Sequence, residues 1–223
     1  MIIRFSYTIG EEETVSLKSL GKPRIVPRTL ILKGDRSNTS LIENLTTHTG
    51  THIDVPYHMV VDGATLDQFD ISEFIFYNPL LLEIIKDDLE KISVEELSRY
   101  EEQIRSCDAL MLYTGFSRYR SSDPDRYLDM QPGLSEEGAQ YLTGFPNLKC
   151  IAIDLVSIEN VPEGRRKLYP VHKILFNAFK KLIILEDANL GLLAKKNVKK
   201  VYIIPMFIKH ADGAPVTAFA EIE

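Results

Sequence analysis

The sequence predicts an α/β fold in a single domain, with a β-rich core and helices packed outside. Three observations point there. The chain has 223 residues, which suits one domain over residues 1–223, and 44% of them are apolar, enough to bury a sizeable core. Short apolar runs of strand length recur at residues 80–86, 109–113, 150–155 and 182–185. Helix-start chemistry lies between them, at Ser93-Val94-Glu95-Glu96, Ser135-Glu136-Glu137 and Tyr169-Pro170.

Taken in order, residues 2–9 alternate well enough for a strand, read as the chain's own hairpin edge, and Glu11-Glu12-Glu13 is a solvated tip. Residues 24–32 are rich in β-formers, and Gly34-Asp35-Arg36-Ser37-Asn38 is turn chemistry. Residues 41–55 form the next strand, bent at Thr46-Thr47. The Ser93 capping box opens a helix to about Arg105 that keeps Val94, Leu97 and Ile104 to one face. Residues 118–129 are charged and irregular and read as a solvated loop; the sharper alternative is a lid whose Arg118 or Arg120 grips a substrate carboxylate. The strand at 150–155 delivers Asp154, with Ser157 three residues on. Carboxylates at strand ends beside clefts are often functional in α/β sheets, so Asp154 either supports a site or serves the turn. Residues 161–166 read as a loop. Pro170 opens a helix with His172 in its first turn, and Glu186 stands at the end of the following buried strand. Residues 191–200 read as surface. Residues 201–209 form a strand interrupted by Pro205, Asp212-Gly213 is a hairpin turn, residues 215–222 return, and His210 is exposed at that turn.

Three of the five histidines fall within His48-Thr49-Gly50-Thr51-His52-Ile53-Asp54-Val55-Pro56-Tyr57-His58. Gly50, the threonines and Pro56 argue against a helix. In a strand, Gly50, His52 and Asp54 share one face while Thr51, Ile53 and Val55 share the other. Pro56 ends the ladder, and His58 returns toward the polar face from the following loop. Imidazole and carboxylate together suit zinc, manganese or iron better than calcium or magnesium.

The remaining numbers exclude several classes. A net charge of −6 with interspersed signs argues against nucleic acid as the main partner. No apolar run approaches the roughly 20 residues of a membrane span, and the start does not read as a signal peptide. Two isolated cysteines, Cys107 and Cys150, suggest a reducing, cytoplasmic setting. There is no Gly-x-Ser-x-Gly elbow, Walker loop, Gly-x-Gly-x-x-Gly or His-Glu-x-x-His.

His-x-Gly-Thr-His-x-Asp-x-Pro-x-His, matched here at His48, Gly50, Thr51, His52, Asp54, Pro56 and His58, resembles the signature of the putative cyclase family. That family includes bacterial kynurenine formamidases (arylformamidases) and isatin hydrolases. Thr114-Gly115-Phe116, Pro132-Gly133-Leu134-Ser135, Asp154-x-x-Ser157 and Asp212-Gly213-Ala214-Pro215-Val216 are similar to further family segments. The resemblance implies the swivelling β/β/α fold, and His172 and Glu186 as metal ligands beside His52, Asp54 and His58. Five ligands exceed the three usual for one catalytic zinc. They suit two Zn2+ or Mn2+ ions bridged by Asp54 or Glu186, and the resemblance implies such a binuclear centre.

The expected chemistry is attack of a metal-activated water on an amide carbonyl. His48 is the first candidate for handling the proton, and Asp62 the second, standing where family members commonly carry a further histidine. The leading substrate is an arylformamide, N-formylkynurenine, yielding kynurenine and formate in tryptophan breakdown. A cyclic amide of the isatin type is the enzymatic alternative, and a non-catalytic metal or small-molecule binder of the same fold is the alternative from another class. The partners expected are a small-molecule amide and further copies of the chain, as a homodimer or homotetramer, with no membrane and no nucleic acid.

Overall fold

Cys150–Ile153, Ile183–Glu186, Ala109–Tyr113 and Pro79–Glu83 pair in parallel; the first three are buried on both faces, as parallel strands usually are, and the last is a half-buried edge. They form one half of a nine-stranded sheet in a computed structural model that describes residues 1–179 and 181–223. The other half is antiparallel: Val198–Pro205 pairs with Ile75–Phe76 and with Gly213–Ile222, whose far edge carries Ile2–Arg4. The strand His52–Asp54 joins the halves. It runs antiparallel to both Ile183–Glu186 and Gly213–Ile222, with His52 opposite Glu186 and Asp54 opposite Gly213. A Cβ on Gly213 would lie 2.2 Å from the Ile53 carbonyl oxygen, so only glycine lets the last strand approach the motif this closely.

Alternation along the parallel strands divides the core. Leu110, Leu112, Ile151, Ile153 and Ile184 face outward to helices Glu136–Leu142 and Pro170–Ala178, meeting Leu142 and Leu175. Met111, Ala152 and Leu185 face inward and pack with Val201, Ile203 and Ala218 of the antiparallel half. The result is an α/β fold with a β-rich core and helices outside, as the sequence predicts. Among the described residues, no helix is long and apolar enough to cross a membrane.

Several elements differ from expectation. The first strand stops at Arg4 and pairs with the C-terminal strand, making no hairpin of its own. The segment 41–55 is not one strand. Thr39–Glu43 belongs to a hairpin with Arg24–Thr29, and Asn44 and Gly50, both at positive φ, turn the chain before His52. Residues 118–129 are not a solvated loop, because Asp123 caps a helix Pro124–Asp129 that buries Tyr127 and Leu128. Asn160 likewise caps a helix, Val161–Lys167, where a loop is expected; Pro162 sits harmlessly in its first turn. The helix from Ser93 is interrupted at Arg99–Tyr100 into Val94–Ser98 and Glu101–Ser106.

No residue of the hairpin strands Arg24–Thr29 and Thr39–Glu43 is buried. Ile25 and Ile42 face each other across it at 50% and 52% exposure, and Leu32 near its tip is 96% exposed.

Candidate metal centre

His52 and Asp54 share the polar face of the motif strand, while Ile53 and Val55 are fully buried on the other. The register brings Glu186 beside His52. Leu168 and Tyr169, both at positive φ, reverse the chain so that the helix Pro170–Ala178 aims His172 at the same point. His52, Asp54, His172 and Glu186 are all buried.

The two carboxylates each present one oxygen to either side. Asp54 Oδ1 lies 2.8 Å from His48 Nδ1 and 3.5 Å from His52 Nε2, and Glu186 Oε2 lies 3.4 Å from His52 Nε2. On the other side, His172 Nε2 is 3.5 Å from Asp54 Oδ2 and 3.2 Å from Glu186 Oε1. Ligand-capable atoms converge in three groups: His48 with His52 and Asp54, Asp54 with His172 and Glu186, and, nearer the surface, His48 with His58 and Asp212. Donor atoms about 2.1 Å from a common tetrahedral centre stand about 3.4 Å apart, so these separations are those of ligands around cations. Asp54 Oδ1 is buried without a hydrogen bond, although His48 Nδ1 is close. An orphaned, ionised oxygen among imidazole nitrogens fits a metal cofactor.

The outer nitrogens are engaged. His52 Nδ1 donates to the Gly50 carbonyl at 2.8 Å, which leaves Nε2 bare. His172 Nδ1 donates to Glu159 Oε1 at 2.7 Å, which turns its Nε2 to the centre, 3.2 Å from Glu186 Oε1; Glu159 Oε1 also accepts from the His172 backbone N–H. Ligating histidines are ordinarily held in this way. Burial disfavours the ionised Asp54, but the neighbouring His48 and His58 outweigh it and hold the carboxyl well below its ordinary range. Burial likewise disfavours a charged His48, yet Asp54 and Asp212 push it up to about 10.

A pocket of about 240 Å³ opens over these groups. Val15, Leu17, Leu20, Met59, Val156 and Val161 give it an apolar wall, and Ser157, Arg165 and Tyr169 add polar groups. His58 lines it at the near edge, with Nε2 3.8 Å from Asp54 Oδ2 and Nδ1 on Asp212.

Other expected site residues lie elsewhere. Asp62 is exposed in a turn and does not line the pocket. Asp154 is buried behind the site, accepting from Thr114 N and Oγ1 and from Ser117 Oγ, and so ties down the turn after the central strand. Arg118 reaches Asp87, away from the pocket. Arg120 is buried, and its Nε and Nη2 each contact Asp187 at 2.6 Å. Neither arginine is placed to grip a substrate, since their donors are engaged by the chain's own acids.

Arg120 instead anchors the ligand strands. Asp187 follows Glu186 directly at a positive φ; its carboxylate also accepts from Tyr127 Oη, and its carbonyl accepts from Thr51 Oγ1 at 2.6 Å. Arg120 Nη1 donates to the Glu13 carbonyl at the start of the segment that walls the pocket. The buried pair therefore fastens the residue before His52 to the residue after Glu186. Asp212, Glu159 and Asp187 escaped sequence reading. Asp212 carried only a turn signal, while Glu159 and Asp187 follow the ends of parallel strands, where functional carboxylates concentrate. Removing one partner of a buried ion pair costs about 3–5 kcal/mol. Arg120→Met is expected to lower unfolding stability by that order in urea titrations; a loss confined to KM, with stability intact, would return Arg120 to the substrate.

The chain matches the family described as "Putative cyclase" over residues 5–160. It is 29% identical to a kynurenine formamidase of Bacillus anthracis over 175 residues, 77% of this chain and 74% of that protein. It is 26% identical to cyclase-like protein 2 of Oryza sativa subsp. japonica over 196 residues, 82% of this chain but 65% of the rice protein. The fold is shared with isatin hydrolase A of Ralstonia solanacearum, with a TM-score of 0.83 at 19% identity over 100% of this chain and 92% of that one. It is also shared with a structure described as a predicted metal-dependent hydrolase from Bacillus stearothermophilus, with a TM-score of 0.74 at 23% identity over 99% and 97% of the two chains. With the motif, the convergent ligand atoms and this match in agreement, the chain belongs to the putative cyclase family.

Proposed function

We propose that this chain, a hydrolase of the cyclase family, cleaves a small amide with two divalent cations, Zn2+ or Mn2+, held between Asp54 and Glu186. The observation that carries this reading is the spread of each carboxylate's two oxygens between two groups of imidazoles. His48 and His52 would hold one ion and His172 the other, with both acids shared. Bound there, such cations acidify water and polarise a carbonyl.

The side chains supply the rest. The apolar wall of Val15, Leu17, Leu20 and Val161 suits an aromatic body and excludes bulk water from it. His58 presents Nε2 at the pocket edge. It takes the proton of the attacking water and delivers it to the leaving nitrogen as the C–N bond breaks, giving a carboxylate and an amine. This exchanges the expected roles of His48 and His58, because His48 Nδ1 is the imidazole nitrogen nearest Asp54 and His58 Nε2 stands farther off. The kinship with kynurenine formamidases favours an arylformamide, with N-formylkynurenine first. The fold shared with isatin hydrolases makes a cyclic amide the second substrate to try. Two buried, unpaired cysteines support a reducing, cytoplasmic setting.

His58→Ala is expected to keep both cations and lose about 10²–10⁴-fold in kcat, whereas His48→Ala loses a cation, as read by elemental analysis beside turnover of N-formylkynurenine and isatin. Full activity after metal removal would refute the reading. Tight metal binding with no amide turned over would favour a non-catalytic binder.

We infer further that the chain assembles with copies of itself through the hairpin Arg24–Thr29/Thr39–Glu43. An isolated two-stranded hairpin is marginal in water, and this one exposes apolar residues on both faces. Its Arg24, Arg28, Lys33 and Arg36 outnumber Asp35 and Glu43 on a chain of net charge −6, which favours seating against a second copy's acidic body. Light scattering is expected to give a dimer or tetramer that Ile25→Lys with Ile42→Lys dissociates; a monomeric native chain would contradict this.

A further inference from the structure

We propose that Asp212 is a positioning residue that fixes the proton placement of two imidazoles at once. It holds the protons on His48 Nε2 and His58 Nδ1, leaving His48 Nδ1 and His58 Nε2 bare and turned toward Asp54. Asp212 comes from the C-terminal hairpin, far in sequence from the motif. It is anchored there because its carbonyl accepts from Val55 N at 3.0 Å. A single oxygen, Oδ2, lies 2.9 Å from His48 Nε2 and 3.0 Å from His58 Nδ1. The two rings stand 4.3 Å apart, close enough to share it.

An ionised carboxylate only accepts, so each nitrogen facing it carries the proton. With a cation rather than a second proton compensating Asp54, each ring is neutral and has one bare nitrogen, on its other side. For His48 that is Nδ1, 2.8 Å from Asp54 Oδ1; for His58 it is Nε2, 3.8 Å from Asp54 Oδ2. The consequence differs for the two rings. A proton on His48 Nδ1 would bar it from a cation. A proton on His58 Nε2, the form favoured by an unrestrained side chain in water, would leave it unable to take a proton from the pocket. Glu159 and the Gly50 carbonyl set His172 and His52 in the same manner, one ring each. Of these three acceptors, Asp212 is the one that serves a ring of the ligand set and the ring outside it, so it couples the orientation of the cation site to that of the proton carrier. This rests on the roles given to His48 and His58 above.

The test is 15N NMR of histidine-labelled, zinc-loaded protein at mildly alkaline pH, which reads each ring's tautomer without a substrate. The native chain is expected to carry the proton on His58 Nδ1, and Asp212→Ala to move it to Nε2. In the same variant kcat should fall about 10²–10⁴-fold with KM little changed, and zinc affinity about 10–100-fold. Asp212→Glu should restore the tautomer and part of kcat. A native His58 protonated on Nε2, or a His58 tautomer unmoved in Asp212→Ala, would overturn the proposal. Should Asp212→Ala not fold, the native spectrum and that of Asp212→Asn decide between the two tautomers in its place. Because the tautomer is read on the resting protein, a chain that cleaves no amide tried still decides it.

Discussion

Asp54 and Glu186 bury two carboxylates side by side, and a buried charge without a counter-charge is among the most destabilising features a fold can hold. A domain stabilised by only about 5–15 kcal/mol cannot leave such a pair uncompensated. Imidazoles surround them, but their nitrogens face oxygens at cation-ligand spacing, and Asp54 Oδ1 is left without a hydrogen bond. Imidazoles offset part of that charge, with His48 pushed up to about 10, and the proposed cations would supply the rest among the same groups.

The fold places the motif strand between the parallel and antiparallel halves of the sheet, paired antiparallel with both. Its neighbour from the parallel half contributes Glu186 in register with His52, and its neighbour from the antiparallel half brings Asp212 and the close approach at Gly213. The Arg120–Asp187 pair then ties the strand bearing Glu186 to Thr51 and to the N-terminal segment over the pocket. One buried ion pair behind the site thus keeps the ligand strands in a single relation at the site.

The motif was legible because its chemistry is local. His52 and Asp54 sit two apart on one strand face, and that spacing survives whatever the rest of the chain does. The apolar runs identified the parallel strands for the same reason. What the sequence concealed depends on contacts across long separations. The roles proposed for His48 and His58 turn on ring orientation, and Asp212, which both rings contact, is 164 and 154 residues away. Arg120 resembled a surface cation because its partner, Asp187, is 67 residues on. The helices at Pro124–Asp129 and Val161–Lys167 were masked by charged residues that their caps and buried faces outweigh. Asp62 follows the motif closely in sequence, yet the turn after His58 carries it out to solvent.

The most direct test of the two-cation centre is anomalous diffraction from crystals of protein purified without chelator and loaded with zinc or manganese. Two peaks are expected, one among His48, His52 and Asp54 and one among Asp54, His172 and Glu186, with Glu186 touching both. A single peak held by His58 in place of His48, or none at all, would contradict the account.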